Sequence, residues 1–169
     1  MTPARRRRSS PAPSVEIRIE STLWNAVPAL PSVLRRAIVA AAPPDAGTFE
    51  VAVLLTDDQS IRLLNRQWRG KDEATNVLSF PARSASCDDE VPCLLGDIVI
   101  AYETAAREAA AEGKPLLHHL SHLAVHGFLH LLGYDHESDD AAETMEGLER
   151  SILARLGVPD PYSARDAEA

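Results

Sequence analysis

Cysteines and long hydrophobic runs are both scarce in this sequence, and their scarcity excludes several classes of protein. Only two of the 169 residues are cysteines, Cys87 and Cys93, which we interpret as ordinary thiols in a reducing compartment. His, Arg or Gly interrupts each apolar stretch well before the ~20 residues that a membrane-spanning helix requires. No apolar core follows the four arginines near the N-terminus, so they do not belong to a secretory signal. We therefore expect a soluble cytoplasmic protein with no membrane-spanning segment.

The length and composition are those of one globular domain. A chain of 169 residues usually forms about one domain. Hydrophobic residues make up 45% of the chain and charged residues 25%, which excludes wholesale disorder. Residues 1–14 are mostly Arg, Pro and Ser, so we expect a disordered arm there. A single domain should span residues 15–157, and residues 158–169 should form a C-terminal tail.

The net charge of −8 is distributed unevenly along the chain. Eleven acidic and three basic side chains lie within residues 97–150, and this excess accounts for the whole −8. Residues 1–20 and residues 62–83 each hold five basic and two acidic side chains. The acidic block is most simply a solvated helix face. Because two segments are basic, however, the overall charge does not exclude a nucleic acid as partner.

Alternation and helical periodicity predict a small α+β domain. Strands are predicted where apolar and β-branched residues alternate or cluster, in VEIRIE, FEVAVLLT, NVLSFPAR and LGDIVIAYE. Helices are predicted from capping signals and apolar spacing over residues 31–42, 57–69, 103–113, 116–133 and 139–156. FEVAVLLT should lie inside the sheet because it is largely apolar, whereas Pro81 should confine NVLSFPAR to an edge. These elements predict a small mixed sheet of about four strands packed with helices.

All six histidines fall within residues 118–136, and three of them have the spacing of metal ligands. His126 and His130 are four residues apart on a predicted helix, so their rings project from one face about 6 Å apart along the axis. Gly133 can end that helix in a left-handed conformation, and His136 follows three residues later. The string HGFLHLLGYDH therefore predicts one zinc ion per chain, bound by these three histidines at the end of a central helix.

Three nitrogen ligands leave one coordination position of zinc open, which is typical of a catalytic site. Zinc lowers the pKa of a water in that position to about 7 and so favours hydrolysis at neutral pH. The same spacing occurs in the metzincin zinc peptidases, where a Glu follows the first His and acts as general base. Here that residue is Gly127, so the metal ligands are present and the peptidase base is absent.

Two further residues beside the motif are candidates for supporting roles. His122 lies one turn before His126 and could contact a ligand ring, although a packed or solvated His is an equally good interpretation. Asp135 could orient a ligand ring or move a proton, or it could cap the last helix and satisfy turn amides. His118 and His119 are interpreted as structural residues.

The zinc motif and two other stretches together resemble a known family. HGFLHLLGYDH is similar to the signature of the bacterial YbeY family of metal-dependent endoribonucleases, which mature ribosomal RNA. LNRQWRGKDEATNVLSFP and LGDIVI resemble the other two marked regions of that family, and all three stretches occur in the family's order. The resemblance covers roughly residues 15–157.

The resemblance implies a fold, a reaction and a set of partners. It implies a single α+β domain whose one zinc ion is held by His126, His130 and His136 and which cleaves single-stranded RNA by hydrolysis. The implied role is the maturation of small-subunit ribosomal RNA and ribosome quality control, with the ribosome or small-subunit proteins as further partners. The functionally important arginine of the family falls on Arg69. Without the resemblance, Arg69 is more simply a helix C-terminal residue that complements the helix dipole.

Two other functions stay open on the sequence alone. A zinc peptidase would use the same ligands, but Gly127 leaves it without the usual Glu base. A ribosome-assembly factor with a structural zinc would need neither an open coordination position nor an arginine nearby. In a nuclease, Arg69 would be catalytic, because its planar fork of donors matches the phosphate oxygens on which negative charge grows during hydrolysis.

Overall fold

The computed structural model describes residues 12–83 and 91–163, so the predicted arm up to residue 11 and the tail from residue 164 lie outside it. Its strands are β1 (Ser14–Ile19), β2 (Phe49–Thr56), β3 (Val77–Pro81) and β4 (Cys93–Ala101). Its helices are a 3₁₀ helix (Thr22–Ala26), α1 (Leu30–Ala41), α2 (Asp58–Arg69), α3 (Tyr102–Ala111), α4 (Leu116–Leu131) and α5 (Asp139–Arg155). None of these helices is both long and apolar enough to cross a lipid bilayer.

The four strands form one mixed sheet in the order β1-β2-β4-β3. β1 and β4 both run parallel to β2, and β3 runs antiparallel to β4 at the edge. β2 therefore has a partner on each side, as its apolar sequence predicted. Pro81 has no N–H to donate to a ladder, and it ends the edge strand β3. The predicted α+β class with a four-stranded mixed sheet is confirmed.

Helices cover both faces of the sheet. Successive strand residues point to opposite faces, so Ile98 and Ile100 of β4 join the large core that α1 and α4 complete. Val99 and Ala101 point the other way and form a smaller cluster with Ile61 of α2. α2 and α4 thus lie on opposite faces of the sheet, near the edge strand β3.

α4 is the central helix, and its close approach to the sheet explains the glycine in the histidine motif. A Cβ atom added at Gly127 would lie 3.0 Å from Ile98 Cγ2 and 3.1 Å from Ser79 Oγ. The Ser79 hydroxyl also donates a hydrogen bond to the Gly127 carbonyl oxygen at 3.0 Å. Any side chain at this position would push against Ile98 and Ser79, because α4 packs directly on β3 and β4 here.

Two features of the structure, the packing of the residues after α5 and the bonding of Cys93, were not predicted from the sequence. The chain after α5 packs on the domain, because Tyr162 is buried and its N–H donates to Asp160 at 2.8 Å. Lys114 also donates to the Pro161 carbonyl oxygen at 2.9 Å, so the described residues after α5 pack against α4 and the connection between α3 and α4. Cys93 is disulfide-bonded, so its interpretation as an ordinary thiol is wrong.

Candidate metal centre

Three imidazole side chains converge where α4 ends. His126 and His130 lie on the last turns of α4, and their Nε2 atoms are 3.1 Å apart. His136 follows the helix, and one nitrogen from each of the three rings lies within 4.8 Å of the other two. Nitrogen ligands held at ~2.0–2.1 Å from a tetrahedral zinc ion are about 3.3–3.4 Å apart. Small ring movements would therefore bring all three nitrogens onto one ion.

Helix geometry and a glycine bring the third histidine to the other two. The four-residue spacing puts His126 and His130 on one face of α4. Gly133 has φ of 97°, which lets the chain reverse, and the Tyr134 N–H closes the turn by donating to the Leu129 carbonyl oxygen at 3.1 Å. The ring centroids of His126 and His136 are then 5.7 Å apart. The structure thus brings together the three histidines that the spacing singled out.

The Nδ1 atoms of two of these rings are held by hydrogen bonds. His130 Nδ1 lies 2.8 Å from the Tyr134 carbonyl oxygen, which can only accept, so Nδ1 carries the proton. His126 Nδ1 lies 2.5 Å from Glu149 Oε1 and donates to it in the same way. In both rings Nε2 keeps its lone pair on the side of the other imidazoles, the tautomer that a metal ligand requires.

Glu149 is the buried centre of a hydrogen-bond network behind His126. Its side chain is 0% exposed, and its second carboxylate oxygen accepts from the Tyr162 hydroxyl and lies 3.4 Å from His122 Nε2. Burial raises the pKa of Glu149, but the hydrogen bonds from His122, His126 and Tyr162 outweigh burial and lower the pKa to about 2. The carboxylate is therefore ionised at neutral pH, and it orients the His126 ring.

The two side chains considered for supporting roles differ in position. His122 contacts Glu149, and its ring centroid is 6.2 Å from that of His126, so it lies behind the ligand. Asp135 accepts a hydrogen bond from the Glu137 N–H at 3.1 Å, which is the turn-amide role. The structure connects His122 to the ligand network through Glu149 and places Asp135 in the turn.

His122, His126 and Glu149 are also close enough together to be considered as a second metal site. The 2.5 Å between His126 Nδ1 and Glu149 Oε1 is a hydrogen-bond distance, and it is shorter than the spacing of neighbouring ligands around one ion. The Tyr162 hydroxyl occupies the other carboxylate oxygen. We therefore interpret this group as the hydrogen-bond network that supports His126.

Arg69 lies in the same cleft as the histidines. It is the last residue of α2, and Gly70 follows in the left-handed conformation with φ of 70°. A cavity of about 200 Å³ adjoins the three imidazoles, and its other lining residues are Arg69, Thr75, Asn76, Val77 and Ser79. Burial, the neighbouring His126 and, to a lesser extent, Arg69 lower the pKa of His130. The ring is therefore neutral at neutral pH, and the guanidinium stands beside the candidate metal ligands.

Glu149 and Tyr162 are the site residues that the sequence analysis missed. Glu149 sits in the acidic block that was interpreted as a solvated helix face. A signal was nevertheless present, because Met145 and Ile152 mark the buried face of α5 and Glu149 lies between them at helical spacing. A carboxylate at a core position of an amphipathic helix predicts a buried partner. No comparable pattern marks Tyr162.

Comparison with known proteins places these residues in a family context. A family model described as "Endoribonuclease YbeY" matches residues 26–157. Relatives of that name include one from Bradyrhizobium sp., 57% identical over 163 residues, covering 93% of this chain and 96% of its own. One from Rhodopseudomonas palustris is 58% identical over 159 residues, covering 91% and 92%. The solution structure of TM1509 from Thermotoga maritima is similar in fold, with a TM-score of 0.52 at 24% identity, and the match covers 84% of this chain and 91% of that one.

Proposed function

This chain belongs to the endoribonuclease YbeY family, and from that premise we propose that it cleaves single-stranded RNA with one zinc ion held by His126, His130 and His136. The family resemblance that the motifs predicted is confirmed. Family membership makes the protein a nuclease that hydrolyses phosphodiester bonds. The observation that carries the zinc proposal is the convergence of three imidazoles on a cleft that also contains an arginine.

The donor set of the site fits zinc. Three neutral imidazoles without a thiolate are the ligands of one class of catalytic zinc site, and they leave a position open toward the cleft. Two of the rings are already fixed in the ligand tautomer by Glu149 and by the Tyr134 carbonyl oxygen. A bound zinc ion would supply a Lewis acid for the phosphoryl oxygens and would activate water. The residues of this chain supply the orientation of the ligand rings and the cleft through which a substrate reaches them.

Gly127 and the burial of Glu149 disfavour a peptidase. A peptidase of the metzincin type needs a carboxylate directly after the first ligand, whereas this chain has Gly127 there, closely packed on Ser79 and Ile98. Glu149 is the carboxylate that contacts a candidate ligand, but its side chain is 0% exposed. It accepts a hydrogen bond from Nδ1 of His126, the ring nitrogen that faces away from the other two imidazoles. It therefore cannot take a proton from a water in the cleft.

Arg69 is proposed as the residue that binds the phosphoryl oxygens. Its guanidinium lines the cleft beside His126 and His130, where a phosphodiester would meet the metal ligands. Arg69→Ala should lower RNA cleavage by about 10²-fold or more, the scale for removing one transition-state donor, while zinc content and melting temperature stay nearly unchanged. Arg69→Lys should recover little activity, because an ammonium keeps the charge and loses the planar fork. Wild-type cleavage by zinc-loaded Arg69→Ala protein would remove Arg69 from the mechanism.

We further propose that the substrate is ribosomal RNA of the small subunit, that the ribosome or small-subunit proteins are partners, and that the protein works in the cytoplasm where this RNA matures. What supports these points is membership of the family, whose relatives share the name endoribonuclease YbeY. Purified small subunits carrying unprocessed RNA should be cut at fewer positions than the same RNA without its proteins. Equal patterns on both substrates would argue against a ribosomal partner.

One experiment tests the proposed activity against its alternatives. Protein loaded with one equivalent of zinc is incubated with a labelled unstructured RNA, the same RNA in a duplex, and casein. Cleavage of the single strand alone, lost on adding a chelator and restored by zinc, is the expected result. His130→Ala should lose both metal and cleavage, because only two imidazoles remain. Metal analysis that finds stoichiometric zinc in this variant would overturn the ligand assignment, and casein cleavage would favour the peptidase.

A further inference from the structure

Three arginines of the basic segment 62–83 form a ridge along α2, and the last of them lines the cleft. Arg62, Arg66 and Arg69 recur at i, i+4 and i+7, so they lie on one side of the helix. Arg62 is paired with Asp72 at 2.9 Å. Arg66 and Arg69 are exposed, and neither forms a salt bridge within residues 12–83 and 91–163. In a chain with a net charge of −8, two exposed guanidinium groups outside these salt bridges and in line with the cleft fit a polyanion.

An exposed tryptophan lies on another side of α2, next to Arg69 in the chain. Trp68 is 60% exposed, although it belongs to the apolar side of α2 with Ile61 and Leu64. The ring of Phe80 in β3 packs edge-on against the Trp68 indole, with the ring centroids 6.1 Å apart and an interplanar angle of 65°. The pair holds the indole in place and leaves much of the ring in water. Arg69, the next residue, lines the metal cleft.

We propose that Trp68 is a stacking platform for one base of the RNA substrate and that Arg66, on a different side of α2, binds a backbone phosphate elsewhere along the same strand. This inference rests on the proposed function and adds a binding subsite outside the cleft. Phe80 and Ser79 are neighbours on the edge strand β3 and point to opposite faces, and Ser79 faces the cleft. The stacked base therefore lies across this edge from the metal ligands and belongs to a nucleotide some way along the strand from the scissile phosphate.

The subsite gives a physical reason for preferring a single strand. Every base has a π-face, so an aromatic side chain stacks on bases of any sequence. The faces of a paired base are already covered by its neighbours in a duplex, and they become available only when the strand is unpaired. Single-strand-binding proteins combine exposed aromatic rings for the bases with basic side chains for the backbone phosphates, and α2 carries both kinds of residue.

The test compares Trp68→Ala with Leu63→Ala. Leu63 is on the same helix and is exposed to a similar fraction, 59%, but it lies on a different side of α2 from Trp68, so its removal takes an exposed apolar side chain away from the proposed platform. With zinc-loaded protein and a short unstructured RNA, Trp68→Ala should raise KM about tenfold, within the range for losing one base stack, and change kcat less than about twofold. Trp68→Phe should keep most of the affinity. A Trp68→Ala protein with the KM of the Leu63→Ala protein would overturn the platform.

Fluorescence separates this inference from the proposed activity. The only other tryptophan, Trp24, is 2% exposed, so quenching by RNA reports on Trp68. Binding is measured with a chelator present, so that the RNA stays intact, and again with an abasic RNA. Quenching by the intact strand that weakens with the abasic strand supports the platform even if no RNA is ever cleaved. Cleavage without any quenching overturns the platform and leaves the proposed activity standing.

The phosphate contact has its own readout. Arg66→Gln should weaken RNA binding and reduce the salt dependence of the dissociation constant by about one ion, because one phosphate contact is lost. Arg36→Gln removes the same charge from an exposed position on α1 and should change neither quantity. An unchanged salt dependence in Arg66→Gln would exclude this arginine from the RNA path.

Discussion

Two carboxylates, Glu149 and Glu108, contact imidazoles of α4, and of these two Glu149 is the one that contacts a candidate metal ligand. His126 meets Glu149 at 2.5 Å, and His119, two helical turns earlier, meets Glu108 at 2.8 Å. Glu149 is 0% exposed and His126 turns its other nitrogen toward two more imidazoles. Glu108 is 35% exposed, and the other nitrogen of His119 is buried with no hydrogen-bond partner within the described residues. A carboxylate–imidazole pair therefore does not by itself make a metal site, because its function depends on what the second ring nitrogen faces.

The largest expected difference between the pairs concerns the histidines themselves. His126→Ala should abolish stoichiometric zinc and reduce RNA cleavage to the level of chelator-treated protein, because two ligands do not hold a catalytic zinc. His119→Ala should retain one zinc per chain and most of the cleavage rate. Elemental analysis and a cleavage assay on both variants check this. Loss of zinc in both variants would mean that the difference between the pairs is not functional.

Acid should unfold the metal-free protein partly through Glu149. Its pKa is lowered from 4.5 to about 2, so its ionised form stabilises the fold above about pH 4.5, and this contribution is lost as pH falls toward 2. The shift corresponds to about 3 kcal/mol of unfolding free energy. Glu149→Gln should therefore flatten the stability profile between about pH 4.5 and 2, as measured by denaturant unfolding with a chelator present.

The second pair should show the same sign of pH dependence with a smaller amplitude. Burial raises the pKa of Glu108, but hydrogen bonds from His119 and Asn76 outweigh it and lower the pKa overall. Because the Glu108 side chain is 35% exposed, solvent screens these interactions. Glu108→Gln should therefore change the acid profile less than Glu149→Gln does, and an equal or larger change would reverse the ranking of the two pairs.

Zinc affinity should separate the two carboxylates as well. Glu149→Gln removes the charge that orients His126, and partners of this type contribute about 10–100-fold to metal affinity. Glu108→Gln removes an equivalent contact from a histidine that is not a ligand, so it should leave zinc affinity unchanged. Competition with a chromophoric chelator measures both. Equal affinities in the two variants would assign Glu149 a purely structural role.

The smallest expected effect concerns the tyrosine behind Glu149. Tyr162→Phe removes one hydroxyl donor and leaves the ring beside His122, whose centroid is 5.5 Å away. Zinc affinity should fall by a few-fold, less than in Glu149→Gln, because His126 and His122 still contact the carboxylate. An affinity loss as large as that of Glu149→Gln would show that Tyr162, and not the carboxylate charge, determines the position of the ligand.

Local patterns predicted much of the fold and the front of the site. The alternation in β1 predicted a strand, and the apolar run of β2 and Pro81 in β3 each predicted the position that the strand takes in the sheet. The histidine spacing predicted the convergence of three rings, because α-helical geometry and a left-handed glycine are local properties. These features depend on residues close together in the chain, so a single sequence is enough to infer them.

The back of the site depended on tertiary structure. Glu149 reaches His126, and Tyr162 reaches Glu149, because α5 and the segment after it pack on α4, and no local rule specifies which helix faces meet. Arg69 was placed at a helix end by the sequence, but its entry into the cleft requires α2 and α4 to lie on opposite faces of the sheet beside the edge strand β3. Sequence spacing alone determined which nitrogens converge, because the helix backbone is regular. Long-range packing decided which carboxylate and which cation surround them, because burial against distant elements has no counterpart in local sequence.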